Sequence, residues 1–304
     1  MTIKTIVKLM QNKPYLIKMG KGKLAKVLKC NPEDIVEARR RLKRLNSKTP
    51  NILIFDLETA PMSAWVWGRW QQNISLDATI SEWFILCWSA KWLGSEDIMS
   101  DKLTSEEAKN EDDSRIVKSL WNLIDNADII IAHNANHADV KWMNTRFIMN
   151  GLDSPSSYKV IDTLEVAKKE FKFSSNKLDA LAGYFNIPHK IETNFKLWKD
   201  CLEGDETALE YMSNYNSKDV EILEKIYLKL RPWIKNHPNC NNIVSSSVSI
   251  CSSCSSKNIS PIEGRYYFTT TGKYQLYRCK DCGAISRSKI NLNKGINNIT
   301  SVGR

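Results

Sequence analysis

Nowhere in this 304-residue chain does an apolar run approach the roughly 18–20 residues a membrane-spanning helix needs. A membrane protein, or a membrane partner, is therefore not expected. The opening stretch, MTIKTIVKLMQNK, is positively charged but lacks a long apolar segment and a small-residue cleavage site. No signal peptide is read, so a reducing, cytoplasmic compartment is the expectation. Internal repeats and long low-complexity tracts are also missing, which leaves ordinary globular modules. A hydrophobic content of 42% and 10 Trp are enough for a sizeable core, and the length suits two or three modules.

Charge is present but unevenly placed. Residues 1–48 carry 14 Lys/Arg against 3 acids, residues 49–238 carry 21 against 29, and residues 239–304 carry 9 against 2. An acidic middle between basic ends suits a protein whose centre holds cations and whose ends meet phosphates. Solvated basic tails are the plainer alternative.

The organisation follows those boundaries. Residues 1–48 form a basic segment in which KGKLAKVLKCNPEDIVEARRRLKRL reads as two short helices around a tight turn. Leu24, Ala25, Val27 and Leu28 give the first helix its apolar contacts. Asn31 is a good N-cap, Pro32 suits the first helical position, and Glu33 and Asp34 favour the helix start. Ile35, Val36, Ala38, Leu42 and Leu45 supply the second helix's apolar face. The unit resembles a helix-turn-helix, and Arg39, Arg40, Arg41 and Arg44 are its candidate nucleic-acid contacts.

Residues 49–238 alternate strands and helices, which predicts an α/β domain with a mixed sheet. A Ser/Asn-rich linker (239–250) leads to a cysteine-bearing segment (251–290) and a tail (291–304). Cys30, Cys87, Cys201 and Cys240 are scattered and read as inert. Cys251-x₂-Cys254 and Cys279-x₂-Cys282, 24 residues apart, have the spacing of a structural zinc site rather than of disulfides. RYYFTTTGKYQLYRC between them reads as a hairpin turning at Gly272, with Gly283 allowing the tight turn of a knuckle. Arg265, Lys273, Arg278, Lys280, Arg287 and Lys289, with tyrosines interleaved, could follow a phosphate backbone.

Four carboxylates constrain function most tightly. Alternate strand residues share a face, so Asp56 and Glu58 in NILIFDLETA point the same way at the carboxyl end of a buried strand. Two uncompensated acids there repel each other, and a divalent cation removes that cost. Asp139 opens a helix after the strand DIIIAHN. Tyr215 and Asp219, at i and i+4, share one helical face. Asp162, after another strand, reads as an N-cap. His133 reads equally as a substrate contact or as a hydrogen bond into the nearby loop. Trp65, Trp67 and Trp70 with Arg69 follow the strand that carries Asp56 and Glu58; they could stack on unpaired bases or simply pack.

In these motifs the chain resembles the DnaQ-like 3′–5′ exonucleases of the ribonuclease H-like superfamily. Asn214 stands where the histidine variant carries its His, so the tyrosine (DEDDy) variant is indicated. The likeness extends to a phage and bacterial group in which the nuclease precedes a zinc ribbon. It implies that Asp56, Glu58, Asp139 and Asp219 ligate two Mg²⁺ or Mn²⁺, that Tyr215 orients the attacking water, and that Thr59 and Asn134 line the substrate site. Ala138 departs from the pattern, where an aromatic often precedes the Asp. The cysteines would hold one structural Zn²⁺. The implied activity is metal-dependent 3′–5′ exonucleolytic hydrolysis of nucleic acid. DNA is favoured through the helix-turn-helix-like arm, a replication or repair protein is a candidate partner, and the host cytoplasm is the location if the chain is phage-encoded. The alternative is a non-catalytic DNA-binding or regulatory protein that retains the fold. A resolvase-type endonuclease would close with two acids near one helix start, a pattern not seen here.

Overall fold

The computed structural model describes residues 1–45, 49–188, 192–244 and 248–294. The side chains of Arg40, Arg41, Lys43, Arg44 and Leu45 lie outside that description, as do residues 295–304 of the tail. The chain divides into two compact units, Met1–Asn51 and Ile52–Arg304.

The first unit is helical: α1 (Ile3–Asn12), α2 (Tyr15–Lys18), α3 (Lys21–Leu28) and α4 (Pro32–Leu45). The Thr2 hydroxyl caps α1 by accepting the Thr5 N–H. Ile6, Val7 and Met10 from α1 meet Leu24 and Ala25 of α3 and Ile35, Ala38 and Leu42 of α4 in one core. The sequence anticipated α3 and α4 around a turn, which is made by Lys29 at φ 49°. It did not anticipate α1 and α2. Val27, expected in the core, is 60% exposed, and Val36 also faces solvent. Arg39 is half-buried and donates to the Met19 carbonyl.

The second unit is built on β1 (Ile52–Thr59), followed by a small hairpin of β2 (Ser63–Ala64) and β3 (Thr79–Ser81), then β4 (Ile85–Trp92) and β5 (Ile98–Lys102). Next come α5 (Ser105–Lys109), α6 (Ser114–Ile124), β6 (Ile129–Ala132), α7 (Asp139–Met149), β7 (Lys159–Asp162) and α8 (Thr163–Glu170). α9 (Leu178–Tyr184), α10 (Phe195–Leu202) and α11 (Glu206–Leu230) complete the α/β part. Strand order is β5-β4-β1-β6-β7. β1 pairs antiparallel with β4 and parallel with β6, so the sheet is mixed and β1 is central.

The alternation in β1 divides the core. Leu53, Phe55 and Leu57 join Ile116, Leu120, Met143 and Phe147 on one face. Ile52 and Ile54 join Ile131, Leu181, Leu223 and Ile226 on the other. Fully burying each such side chain contributes about 1.5–3 kcal/mol. Asp113, with no exposed surface, ties α6 to its neighbours: it accepts from Arg146 Nε and Nη2 at 2.7 and 2.6 Å and from the Ile85 N–H at 2.9 Å.

α11 runs unbroken for 25 residues. Polar side chains along it face protein. Ser217 hydrogen-bonds Ser89 of β4 at 2.9 Å, and Glu224 accepts from Lys91 Nζ at 2.5 Å and from the Gly94 N–H at 3.1 Å. Asp205 caps its start by accepting from Thr207 and Ala208. Pro232 lies within a short 3₁₀ turn that follows. α9 begins after Lys177 without a side-chain cap.

After α12 (Cys240–Val244), β8 (Ile259–Thr269), β9 (Gly272–Cys279) and β10 (Ile285–Arg287) form a three-stranded antiparallel sheet in the order β10-β9-β8. The hairpin turns at Thr270–Thr271, just before Gly272, and β10 was not foreseen. Gly283 has φ 77°, the backbone its position was expected to need. Among the described residues no helix is long and apolar enough to cross a membrane.

Candidate active site

β1 places Asp56 and Glu58 on the face that carries Ile52 and Ile54, at the end where apolar packing stops. α11 lies over this end, fixed by its polar bonds to β4. Its register brings Asp219 to the strand: ligand oxygens of Asp56, Glu58 and Asp219 all lie within 4.8 Å of one another. Asp219 is buried and the other two are half-buried. Octahedral Mg²⁺ holds oxygens at about 2.0–2.1 Å, so its ligands stand roughly 3–4 Å apart. The three carboxylates fit such a cation, and their all-oxygen donor set matches a hard ion.

Asp139 is not in that triad of close oxygens. It is the first residue of α7, buried, and lines the same cleft. Burial pushes its carboxyl up to about 7, with the charge of Asp162 adding to the rise, while its own N–H and the Leu57 backbone pull the other way. The cleft encloses about 600 Å³ and is lined by Asp56, Glu58, His133, Asn134, Asp139, Tyr215 and Asp219, among others. Thr59 does not line it; its carbonyl accepts from Trp198 Nε1 at 3.2 Å.

The loop between β6 and α7 is held from β7. Asn134 sits at φ 75°, a conformation Asn tolerates. Its carbonyl takes the N–H groups of His137 and Ala138. Asp162 accepts from the N–H groups of Asn134, Asn136, Leu164 and Glu165, capping α8 and fixing this loop together. Its role is positional, as the sequence suggested. His133 pairs Nδ1 with Thr163 Oγ1 and Nε2 with the Asn176 carbonyl, each at 2.9 Å.

Sequence reading assigned no role to several residues in or beside the cleft. Asn216, fully buried, donates Nδ2 to Asp56 Oδ2 at 2.7 Å and so orients that carboxylate. Its signal was helical spacing: it stands three residues before Asp219, on the same side of α11. Lys168 and Lys177 line the cleft as exposed cations, and Trp142 lines it as an aromatic wall. Cys87, opposite Glu58 in the β1–β4 register, is buried, and burial with the Glu58 and Asp56 charges raises its thiol far above the ordinary range. Its reactive thiolate form is thereby disfavoured. Trp65, Trp67 and Trp70, on the loop between β2 and β3, do not pack: they are 77%, 104% and 84% exposed.

Away from the cleft, the four cysteine sulfurs of Cys251, Cys254, Cys279 and Cys282 gather within 4.8 Å. Cys251 and Cys282 sulfurs stand 3.6 Å apart, and those of Cys254 and Cys279 stand 3.7 Å apart. Four thiolates about 2.3 Å from a tetrahedral zinc would have edges of roughly 3.8 Å, so the cage fits that ion. The Cys254 thiol donates to Cys251 and draws it down to about 5, while Cys254 itself rises and burial lifts Cys282 to about 11.

Residues 92–231 match the RNase_H_2 family, described as RNase_H superfamily. That stretch contains Asn134, Asp139, Tyr215 and Asp219 and begins after Asp56 and Glu58. Over 154 residues, 46% of this chain, the sequence is 34% identical to the DNA polymerase III subunit epsilon of Buchnera aphidicola subsp. Schizaphis graminum (strain Sg). The chain spans 62% of that relative's length. The mixed sheet and its covering helices are thus similar, over residues 92–231, to the RNase_H superfamily.

Proposed function

We propose that this chain is a metal-dependent 3′–5′ exonuclease of the DnaQ-like, tyrosine-variant type, hydrolysing nucleic acid with DNA favoured. The observation that carries it is the meeting of Asp56, Glu58 and Asp219 within 4.8 Å in a cleft that Asp139 and Tyr215 also line. These four acids would hold two Mg²⁺ or Mn²⁺. When bound, such ions lower the pKa of a water and stabilise the leaving oxygen of a phosphodiester. Tyr215 orients the water from one turn before Asp219. Asn216 holds the Asp56 carboxylate still. Lys168 and Lys177 meet phosphates, and Trp142 offers a wall to the terminal base. In hydrolysis the water oxygen bonds to phosphorus, the bond to the 3′ oxygen breaks, and that oxygen takes up a proton. A nucleoside monophosphate leaves.

In the same reading, the cysteine segment (251–290) is a zinc ribbon with one structural Zn²⁺, and residues 1–48 are a helix-turn-helix-like arm. Arg40, Arg41 and Arg44 are its candidate phosphate contacts, with Arg39 braced against Met19. Thr59 acts through its neighbourhood to Glu58 rather than from the cleft wall. The exposed tryptophans Trp65, Trp67 and Trp70 supply stacking surfaces for unpaired bases. The relative's name, a DNA polymerase subunit, supports a replication or repair protein as partner by likeness. The rival is a non-catalytic nucleic-acid-binding protein on the same fold. Wild type and Asp56→Ala, incubated with 5′-end-labelled single- and double-stranded DNA and RNA plus Mg²⁺ or Mn²⁺, separate the two. The expected result is a ladder shortening from the 3′ end with wild type and none with the variant. Equal or absent cleavage in both favours the rival.

A further inference from the structure

The C-terminal sheet carries an ordered aromatic and guanidinium surface that the cleft does not use. β8 and β9 pair Tyr267 with Tyr274, and β9 and β10 pair Leu276 with Arg287 and Arg278 with Ile285. Directly paired and alternate residues share a face, so these six stand on one side of the sheet. The Arg287 guanidinium lies 4.4 Å from the Tyr274 ring centre and 5.2 Å from that of Tyr267. Tyr274 is braced from its own strand, since a Cβ on Gly272 would come within 2.6 Å of its ring. Tyr267, Arg278, Ile285 and Arg287 are all exposed.

Charge says what such a face meets. Residues 251–294 hold eight Lys/Arg and only two acids, Glu263 and Asp281. Neither stands among the six. Asp281 is bound to Ser256 and to Asn258 at 2.5 and 2.7 Å. A protein partner would need to supply nearly all the acid, whereas a nucleic-acid strand supplies it at every residue. The stacked guanidinium and phenol planes favour unpaired bases over a duplex, whose bases already stack on each other. From Tyr274 to Arg278 the strand rises about 13 Å, room for about four bases at the roughly 3.4 Å spacing of a stack.

We infer that the Tyr267–Arg287–Tyr274 face of the C-terminal sheet is a second nucleic-acid site, which stacks unpaired bases and pairs their phosphates with Arg278 and Arg287. The site lies on a different sheet from the carboxylates and does not need the cleavage reading to hold. Tyr274 is a positioning residue that sets the Arg287 plane.

The test is fluorescence anisotropy of full-length, zinc-loaded protein with labelled dT20, rU20 and a 20-base-pair duplex, without added Mg²⁺ or Mn²⁺. Binding is read without cleavage, so failure here and failure of the nuclease reading are told apart. Stacking one base on an aromatic contributes a factor of about 5–150 in affinity. Tyr267→Ala and Arg287→Ala should each weaken dT20 or rU20 binding at least fivefold, while Tyr267→Phe stays near wild type. Arg287→Lys keeps the charge, loses the plane, and should still weaken binding. Arg278→Ala should flatten the plot of log affinity against log salt by about 0.7. The DNA and RNA arms show which strand is preferred. Three results would overturn the proposal: no binding of either single strand, tighter binding of the duplex, or wild-type affinity in a zinc-retaining Tyr267→Ala Arg287→Ala double variant. Should the alanine variants lose zinc, Arg287→Lys decides, and full affinity in it refutes the site.

Discussion

Replacing Asn216 by Ala removes one hydrogen bond from a carboxylate that the account assigns to the cation. Asn216 has no exposed surface, and its Nδ2 stands 2.7 Å from Asp56 Oδ2. A hydrogen bond to a charged group contributes about 1.5–3 kcal/mol. Outer groups that orient a metal-bound carboxylate contribute about 10–100-fold in metal affinity, which is the same range expressed as a binding ratio. Asn216→Ala is therefore expected to raise the Mn²⁺ concentration for half-maximal cleavage about 10–100-fold. At saturating Mn²⁺ the maximal rate should recover most of its wild-type value, since no group that touches substrate is removed. Asn216→Asp keeps the shape but faces a second carboxylate toward Asp56. It should lower the melting temperature without metal and regain part of the loss when Mn²⁺ is added. Calorimetric Mn²⁺ titration beside an activity titration makes the measurement. An unchanged half-saturation in a folded Asn216→Ala protein would refute the claim that this bond prepares Asp56 for a cation.

Other consequences follow from the packing. Asp113→Ala leaves Arg146 buried without its bidentate partner, which should cost about 3–5 kcal/mol in urea unfolding; a loss under 1 kcal/mol would contradict that assignment. The Arg115 guanidinium holds Glu107 down at about 2, below its ordinary 4.5. A depressed carboxylate stabilises the fold fully above about pH 4.5, and that contribution fades as pH falls toward 2. Because Arg115 is half-exposed, the effect is modest, about 1 kcal/mol. Arg115→Ala should flatten the acid-side fall in the urea midpoint between pH 6 and pH 3, and parallel curves would refute the pairing. A strong zinc chelator, or Cys282→Ser, should abolish the near-ultraviolet signal of the C-terminal tyrosines and expose the four caged thiols to titration; retention of both would count against zinc. Replacing Trp65, Trp67 and Trp70 by Ala one at a time should weaken single-strand affinity in at least one case, and unchanged affinity in all three would remove them from the substrate path.

The carboxylate triad was legible because its geometry is local in two places. Asp56 and Glu58 need only the two-residue period of a strand, and Tyr215 and Asp219 need only the turn of a helix. The cysteine cage was legible for the same reason, since its x₂ spacings are short. What escaped depended on contacts far apart in sequence. Asn216 and Ser217 find their partners, Asp56 and Ser89, 160 and 128 residues away, beyond the reach of any local pattern. α10 and β5 are short and carry mixed patterns, and they form because the core receives Leu197, Trp198 and Leu202 of one and Met99 of the other. The three tryptophans misled in the opposite direction: composition favours burial, yet the short β2–β3 hairpin that carries them gives no interior to enter. Asp139 is a mixed case, with its helix start foreseen and its place outside the close triad not foreseen.

The central claim is that Asp56, Glu58 and Asp219 form a cation site. Anomalous diffraction from crystals soaked in Mn²⁺ tests it without reference to any substrate. The account expects a strong peak within coordination distance of all three carboxylates, weakened or lost in Asp219→Asn. Manganese bound only elsewhere, with these carboxylates metal-free at millimolar concentrations, would contradict it.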